Sequence, residues 1–245
     1  MVIDTHCHLD EYENLDNITN FDGYMITSGC DKKSNQKVMD IIDKYDNVFG
    51  TLGIHPENVD KYTQEDLKFI EENINHQKIV AIGEIGLDYH YTSENKDKQI
   101  ELFKKQLDIA LKYHKPIVVH SRDAINDTYN ILKHYKLKGT IHCFSSSLEM
   151  AQEFIKLGYK IGIGGVLTFK NGKKLQSIVK FLDLRNILIE TDSPYLSPEP
   201  LRGRRNEPKN VLYVAQKISQ IKDIGLNQVL DRVNKNAILE FDLPI

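Results

Sequence analysis

Eight short apolar runs recur along the chain with stretches of helical periodicity between them, and this alternation leaves few folds open. The runs are Val2 to Thr5, Tyr24 to Thr27, Val48 to Leu52, Ile79 to Gly83, Ile117 to Val119, Thr140 to His142, Lys160 to Ile163 and Ile187 to Ile189. Strand and helix in strict alternation is the pattern of a parallel sheet with crossover helices. Eight such units in 245 residues match the usual length of a closed barrel. The expected fold is α/β, a TIM-type (β/α)8 barrel, as one domain over residues 1–245.

The intervening stretches agree with this parse. In Gln99 to Tyr113, residues Ile100, Phe103, Leu107, Ala110 and Leu111 follow the helical period and are expected to pack on the barrel. Gly158 follows an expected helix Leu148 to Leu157 as its C-terminal cap, and Pro116 precedes the fifth run, where a missing amide donor is tolerated. A loop rich in Pro and Arg, Ser193 to Pro208, leads into two expected helices, Lys209 to Lys222 and Leu226 to Glu240.

Composition removes several function classes. No apolar run approaches the span of a bilayer, so no membrane association is expected. Three cysteines, Cys7, Cys30 and Cys143, are too few and too scattered for a disulfide framework or a four-thiolate zinc site, and are expected to be buried thiols. The first run begins at Val2, which leaves no room for a leader peptide, so a cytoplasmic location is expected. A net charge of −3 argues against coating nucleic acid by global charge, but a local basic rim remains compatible with phosphates.

In such barrels the active site forms at the C-terminal ends of the strands, and the chemistry-bearing residues fall there. His6 and His8 close the first run. Strand alternation sends both imidazoles to one face and Cys7 to the other, so the pair can close on one divalent ion. Glu84 closes the fourth run, His120 the fifth and His142 the sixth, and Asp192 follows the eighth. A single strand-end histidine is ordinarily a hydrogen-bonding rim residue; six ligand-type residues at one end of one barrel are not explained that way. They also exceed one tetrahedral site, whereas a carboxylate can bridge two ions. We expect His6, His8 and Asp192 to hold one ion, His120 and His142 a second, and Glu84 to bridge them. Imidazoles and carboxylates suit Mg, Mn or Zn.

These residues sit in a series of motifs. They are Ile3-Asp4-Thr5-His6-Cys7-His8-Leu9-Asp10, Gly53-Ile54-His55-Pro56, Ala81-Ile82-Gly83-Glu84-Ile85-Gly86-Leu87-Asp88-Tyr89, Val119-His120-Ser121-Arg122, Ile141-His142-Cys143-Phe144-Ser145, Glu190-Thr191-Asp192-Ser193-Pro194-Tyr195 and Arg205-Asn206-Glu207-Pro208. In this order, from Ile3 to Pro208 and more weakly beyond, the chain resembles the TatD family of metal-dependent deoxyribonucleases, within the amidohydrolase-like barrels. The resemblance implies a barrel that binds two divalent ions and hydrolyses phosphodiesters in DNA, with the six residues above as ligands. Ser146 departs from it, since the family often has glycine after His-Cys-Phe-Ser; no ligand position is lost.

The expected reaction is in-line hydrolysis, with Glu84 and Asp192 as the catalytic carboxylates and Asp192 also taking the proton of the attacking water. No serine or cysteine of the motifs sits in a nucleophile elbow or beside a base, so no covalent intermediate is expected. His55 faces the same rim and is a candidate donor to the scissile phosphate. Arg122 is a candidate phosphate fork, because guanidinium meets two oxygens at once. Arg205, within the cluster Arg202, Arg204, Arg205 and Lys209, is a candidate contact to the phosphate backbone. Glu207 reads as a partner for those arginines and Tyr89, His90 and Tyr91 as an ordinary aromatic loop, while alternation points Cys143 away from the ions.

Barrel mouths admit a single strand more readily than a duplex, so trimming of single-stranded ends is expected; the resemblance implies a 3'-5' exonuclease on DNA, without an obligate protein partner. Two rivals stand beside it. One is a related barrel hydrolase acting on an amide, lactone or phosphotriester; many of these bridge their metals with a modified lysine on strand four, where this chain has Glu84 and no lysine between Ile79 and Tyr91. The other is a metal-stabilised nucleic-acid-binding module that does not cut.

Overall fold

All eight expected runs are strands: β1 (Val2–Cys7), β2 (Gly23–Ser28), β3 (Val48–Leu52), β4 (Ile79–Asp88), β5 (Ile117–Arg122), β6 (Gly139–Ile141), β7 (Tyr159–Ile163) and β8 (Ile187–Ile189). The structure, a computed structural model, describes residues 1–92 and 94–245. The strands form one sheet in chain order, and each consecutive pair is parallel. The ring closes between β1 and the segment after β8. Cys7 and Ser193 form a parallel bridge, the His8 amide donates to Ser193 O at 2.7 Å, and the Asp192 amide donates to His6 O at 3.0 Å. Buried Asp4 fastens the same seam by accepting from the Thr191 amide and hydroxyl.

Among the described residues the helices are α1 (Leu15–Thr19), α2 (Lys32–Lys44), α3 (Gln64–Asn73), α4 (Lys96–Tyr113), α5 (Ile125–Leu132), α6 (Leu148–Lys156), α7 (Lys173–Phe181), α8 (Val211–Lys222) and α9 (Leu226–Phe241). Each of the eight strands is followed by at least one of them, the eightfold alternation of a (β/α)8 barrel. Gly158 takes a φ of +99° just beyond α6, as its capping role requires. None of the helices is long and apolar enough to cross a membrane.

The face of α4 is rotated from the sequence expectation. Leu111 is 43% exposed and Ile100 only half-buried, while Gln99 and Gln106 are buried beside Leu102, Phe103 and Leu107. The glutamines face inward because their amides bond backbone at strand ends. Gln106 accepts from Ile54 N and donates to Ile54 O, and Gln99 does the same for Asp88. Burying these amides fully paired removes the penalty that an apolar-only reading of the helix assigns to them.

Most of the core lies between the strand ring and the helices. A second cluster joins Ile3, Ile26, Phe49, Val80, Val118 and Leu188, from six different strands, with Phe241 and Leu243 at the end of α9. Side chains from six strands of a ring can meet only inside it, so this cluster fills the barrel. Asn234 of α9 accepts from Ile3 N, and Asn236 donates to Leu184 O and Ile187 O, tying α9 to the starts of β1 and β8. The opposite end, where the strands finish, is left free for polar side chains.

Candidate metal centre

Local backbone geometry brings the six candidate residues to that end. His6 leaves from β1 and His8 from the residue just beyond it, and their Nε2 atoms lie 3.2 Å apart. Asp192 is placed beside them by the β1–β8 seam. Glu84 lies in the middle of β4, where the pairing with β5 shifts register between Ile82 and Ile85. Gly53 permits this, because a Cβ there would stand 2.6 Å from Gly83 C and 2.8 Å from Glu84 N. His120 projects from β5, and His142 sits one residue past the end of β6.

The two carboxylate oxygens of Glu84 face two different sets of nitrogens. Oε2 lies 3.4 Å from His6 Nε2 and 3.6 Å from His8 Nε2, and Asp192 Oδ1 completes this set at 3.6 and 3.3 Å from the same two nitrogens. A tetrahedral site with bonds of about 2.0–2.1 Å has edges of about 3.3–3.4 Å. The measured separations of 3.2 to 3.6 Å therefore match the donor frame of one small dication. Oε1 instead meets His142 Nε2 at 2.7 Å and His120 Nδ1 at 2.9 Å, and those nitrogens are 3.3 Å apart. This second set is a triangle open to the cavity.

The far side of three of the four rings is hydrogen-bonded, as metal-ligating histidines require. His120 Nε2 bonds Asp88 Oδ2 at 2.9 Å, His6 Nδ1 bonds Ser28 Oγ at 3.1 Å, and His8 Nδ1 bonds Ser28 O at 3.2 Å. His142 Nδ1 faces buried Glu190, whose Oε1 is 3.7 Å away and accepts the Cys143 amide. Gly162 makes room for that carboxylate, since a Cβ there would meet Glu190 Oε2 at 2.6 Å.

Charge is arranged for exchange between protons and metal. Burial, together with charge on His142, pushes His6 down to about 4, so its ring is neutral and its lone pair free. Burial opposes charge on His120, but the Asp88 and Glu84 carboxylates outweigh it and hold the ring up to about 9. Burial would raise Glu84, yet the surrounding imidazoles, His142 foremost, keep it well below the carboxylate range. Asp192 is likewise held down, its burial overcome by the bond to His8. A dication entering here meets ionised carboxylates and displaces protons from imidazoles.

Comparison with known proteins then decides the family. The family model described as TatD related DNase matches residues 3–242. This chain belongs to the TatD family. It is 38% identical to the uncharacterized metal-dependent hydrolase YabD of Bacillus subtilis, over 97% of each chain. It is 35% identical to YcfH of Escherichia coli K12, another uncharacterized metal-dependent hydrolase, over 96% of this chain and 93% of that one. The crystal structure of YjjV, a TatD homologue from Escherichia coli K12, superposes with a TM-score of 0.91 at 27% identity, covering 99% of this chain and 98% of that one.

In this TatD barrel the centre opens into a cavity of about 680 Å³. His55 lines it, with Nε2 3.6 Å from Glu84 Oε1. Its Nδ1 accepts from the Glu57 amide, so the neutral ring carries its proton on Nε2, toward the cavity. Arg122 is at the rim, its guanidinium 5.1 Å from the centre of the Tyr91 ring. Arg205 lies outside the lining; it stacks on Tyr12 at 4.6 Å and donates to Glu11 O at 2.6 Å, which braces the loop carrying Glu11. Arg202 covers Phe169 at 3.8 Å, and Glu207 pairs with Lys209 rather than with an arginine.

Two cysteines differ from expectation. Cys143 lines the cavity and groups with His142 and Asp192 instead of pointing away, because β6 ends at Ile141 and Cys143 has a φ of +43°, where strand alternation no longer applies. Cys30 is not a buried thiol but a half-buried wall residue, with Sγ 3.7 Å from Glu84 Oε2. The sequence reading also passed over Asp88 and Glu190. Asp88 stands four positions from Glu84 within β4, so the alternation that paired His6 with His8 signals it; Glu190 and Asp192 lie beyond the end of β8, where alternation gives no such signal.

Proposed function

We propose that this TatD barrel is a two-metal deoxyribonuclease that trims single-stranded DNA from the 3' end. The observation that carries the reading is the division of Glu84, with one oxygen on the His6, His8 and Asp192 set and the other on the His120 and His142 set. The family description as a DNase supports the substrate class.

In this reading His6, His8, Asp192 and Glu84 would hold one ion, and Glu84, His120 and His142 would hold the other. When bound, such ions supply Lewis-acid stabilisation of phosphoryl oxygens and a lowered pKa for the attacking water. The chain supplies the rest. Asp192, ionised and at the cavity wall, takes the proton of that water. His55 Nε2–H donates to a non-bridging phosphate oxygen, and Arg122 receives the neighbouring phosphate as a fork at the rim.

Digestion of oligonucleotides labelled at either end, in Mg, Mn or Zn, tests the reading. Chelation is expected to abolish release of nucleotides from the 3' end, and added metal to restore it. Cleavage that survives chelation, or DNA binding with no product on long incubation, overturns it. A related expectation concerns Asp88→Asn, which removes the charge orienting His120: affinity for the second ion should fall about 10–100-fold. Calorimetric metal titration reads this directly, and an unchanged isotherm would show that Asp88 does not orient the ligand.

A further inference from the structure

Beside the metal cavity lies a smaller one of about 140 Å³, and the two share Cys143, Ser145 and Val166 as lining. Its inner walls are the buried apolar side chains Phe144, Leu175 and Ile178. Its rim is polar: Ser146 comes from the segment after β6, exposed Asn171 from the turn before α7, and exposed Lys174 from the second position of α7. An apolar cavity of about 150 Å³ is the size that accommodates one benzene ring. This one therefore fits a single six-membered ring and is too small for a fused bicyclic one.

An apolar slot with a few convergent polar groups is how proteins hold a flat heterocycle, the walls taking its faces and the rim reading its edge. Here the slot adjoins the place where a phosphate would be cut, and Lys174 adds a cation for a flanking phosphate. We propose that this side cavity is a base subsite that receives one pyrimidine of the terminal nucleotide. The placement of its phosphate rests on the nuclease reading above. Ser146 and Asn171 contact the ring edge, and Leu175 and Ile178 set the depth that rejects a purine.

The test has a cleavage arm and a binding arm, both on the full chain with Mn present. Oligonucleotides ending in thymidine or deoxycytidine should be cleaved with a kcat/KM at least about tenfold above those ending in a purine or an abasic residue, the lower range of what holding one base is worth. Thymidine 5'-monophosphate should bind at least about tenfold more tightly than deoxyribose 5-phosphate by calorimetry, by the same argument. Filling the slot with Leu175→Phe, or with Ile178→Phe should the first variant not fold, should bring both ratios close to one. Equal cleavage of pyrimidine, purine and abasic ends overturns the subsite while the nuclease reading stands. Selective binding of thymidine 5'-monophosphate that Leu175→Phe abolishes, in a protein that cuts no DNA, supports the subsite and overturns the nuclease reading instead. Equal binding of the two monophosphates overturns the subsite whatever the cleavage arm gives.

Discussion

Asp192→Asn is expected to lower turnover on single-stranded DNA by about 10²–10⁴-fold, the range for loss of a positioned proton acceptor, while the protein still unfolds cooperatively near the wild-type temperature. The choice of asparagine follows from the backbone. Asp192 has a φ of +55°, a left-handed conformation that asparagine tolerates and alanine does not. Asparagine also keeps an oxygen beside His6 and His8, so the first donor set persists in weakened form. What is removed is the negative charge that accepts the proton. Steady-state cleavage and thermal unfolding measured together check this, and a variant with the wild-type rate would take the proton-accepting role away from Asp192.

The barrel was legible because strand and helix periods differ and both are written in apolar residues. What escaped was polar and buried. Gln99 and Gln106 occupy the inward face of α4 because each bonds a backbone segment more than ten residues away in sequence, which helical periodicity does not encode. Asp88 was missed because the run of apolar residues is broken at Gly83 and Glu84. Yet β4 continues past this break, since Ile85 to Asp88 pair with Val119 to Arg122. The convergence of the six histidines and carboxylates was legible for the converse reason. A histidine or carboxylate that ends an apolar run carries its position in the sequence, even where, as at Glu84, the strand itself continues beyond it, and the barrel's closure converts that position into proximity. Cys143 failed for lack of any such rule, because the chain turns left-handed directly after His142.

Glu84→Gln is expected to have the larger effect, because it strikes both donor sets where Asp192→Asn strikes one. Glutamine can still place an oxygen near one set, but it presents an amide nitrogen to the other and carries no charge to balance a dication. Hydrolysis should fall by at least about 10³-fold, at or beyond the upper end for removing one electrostatic group, and bound metal should fall from two ions to at most one. Stability separates this from simple misfolding. Each ion held at 100 times its dissociation constant adds about 2.7 kcal/mol to the native state, so metal should raise the wild-type unfolding temperature clearly and that of Glu84→Gln much less. Without metal the variant should also be less stable than the wild type, since Glu84 is the buried counter-charge of His120 and His142. Deprotonation of those rings relieves part of that loss as pH rises. Metal analysis by mass spectrometry, with thermal unfolding before and after chelation, measures every part of this. A Glu84→Gln protein that retains two ions and the full metal-dependent rise in unfolding temperature would show that the carboxylate does not bridge.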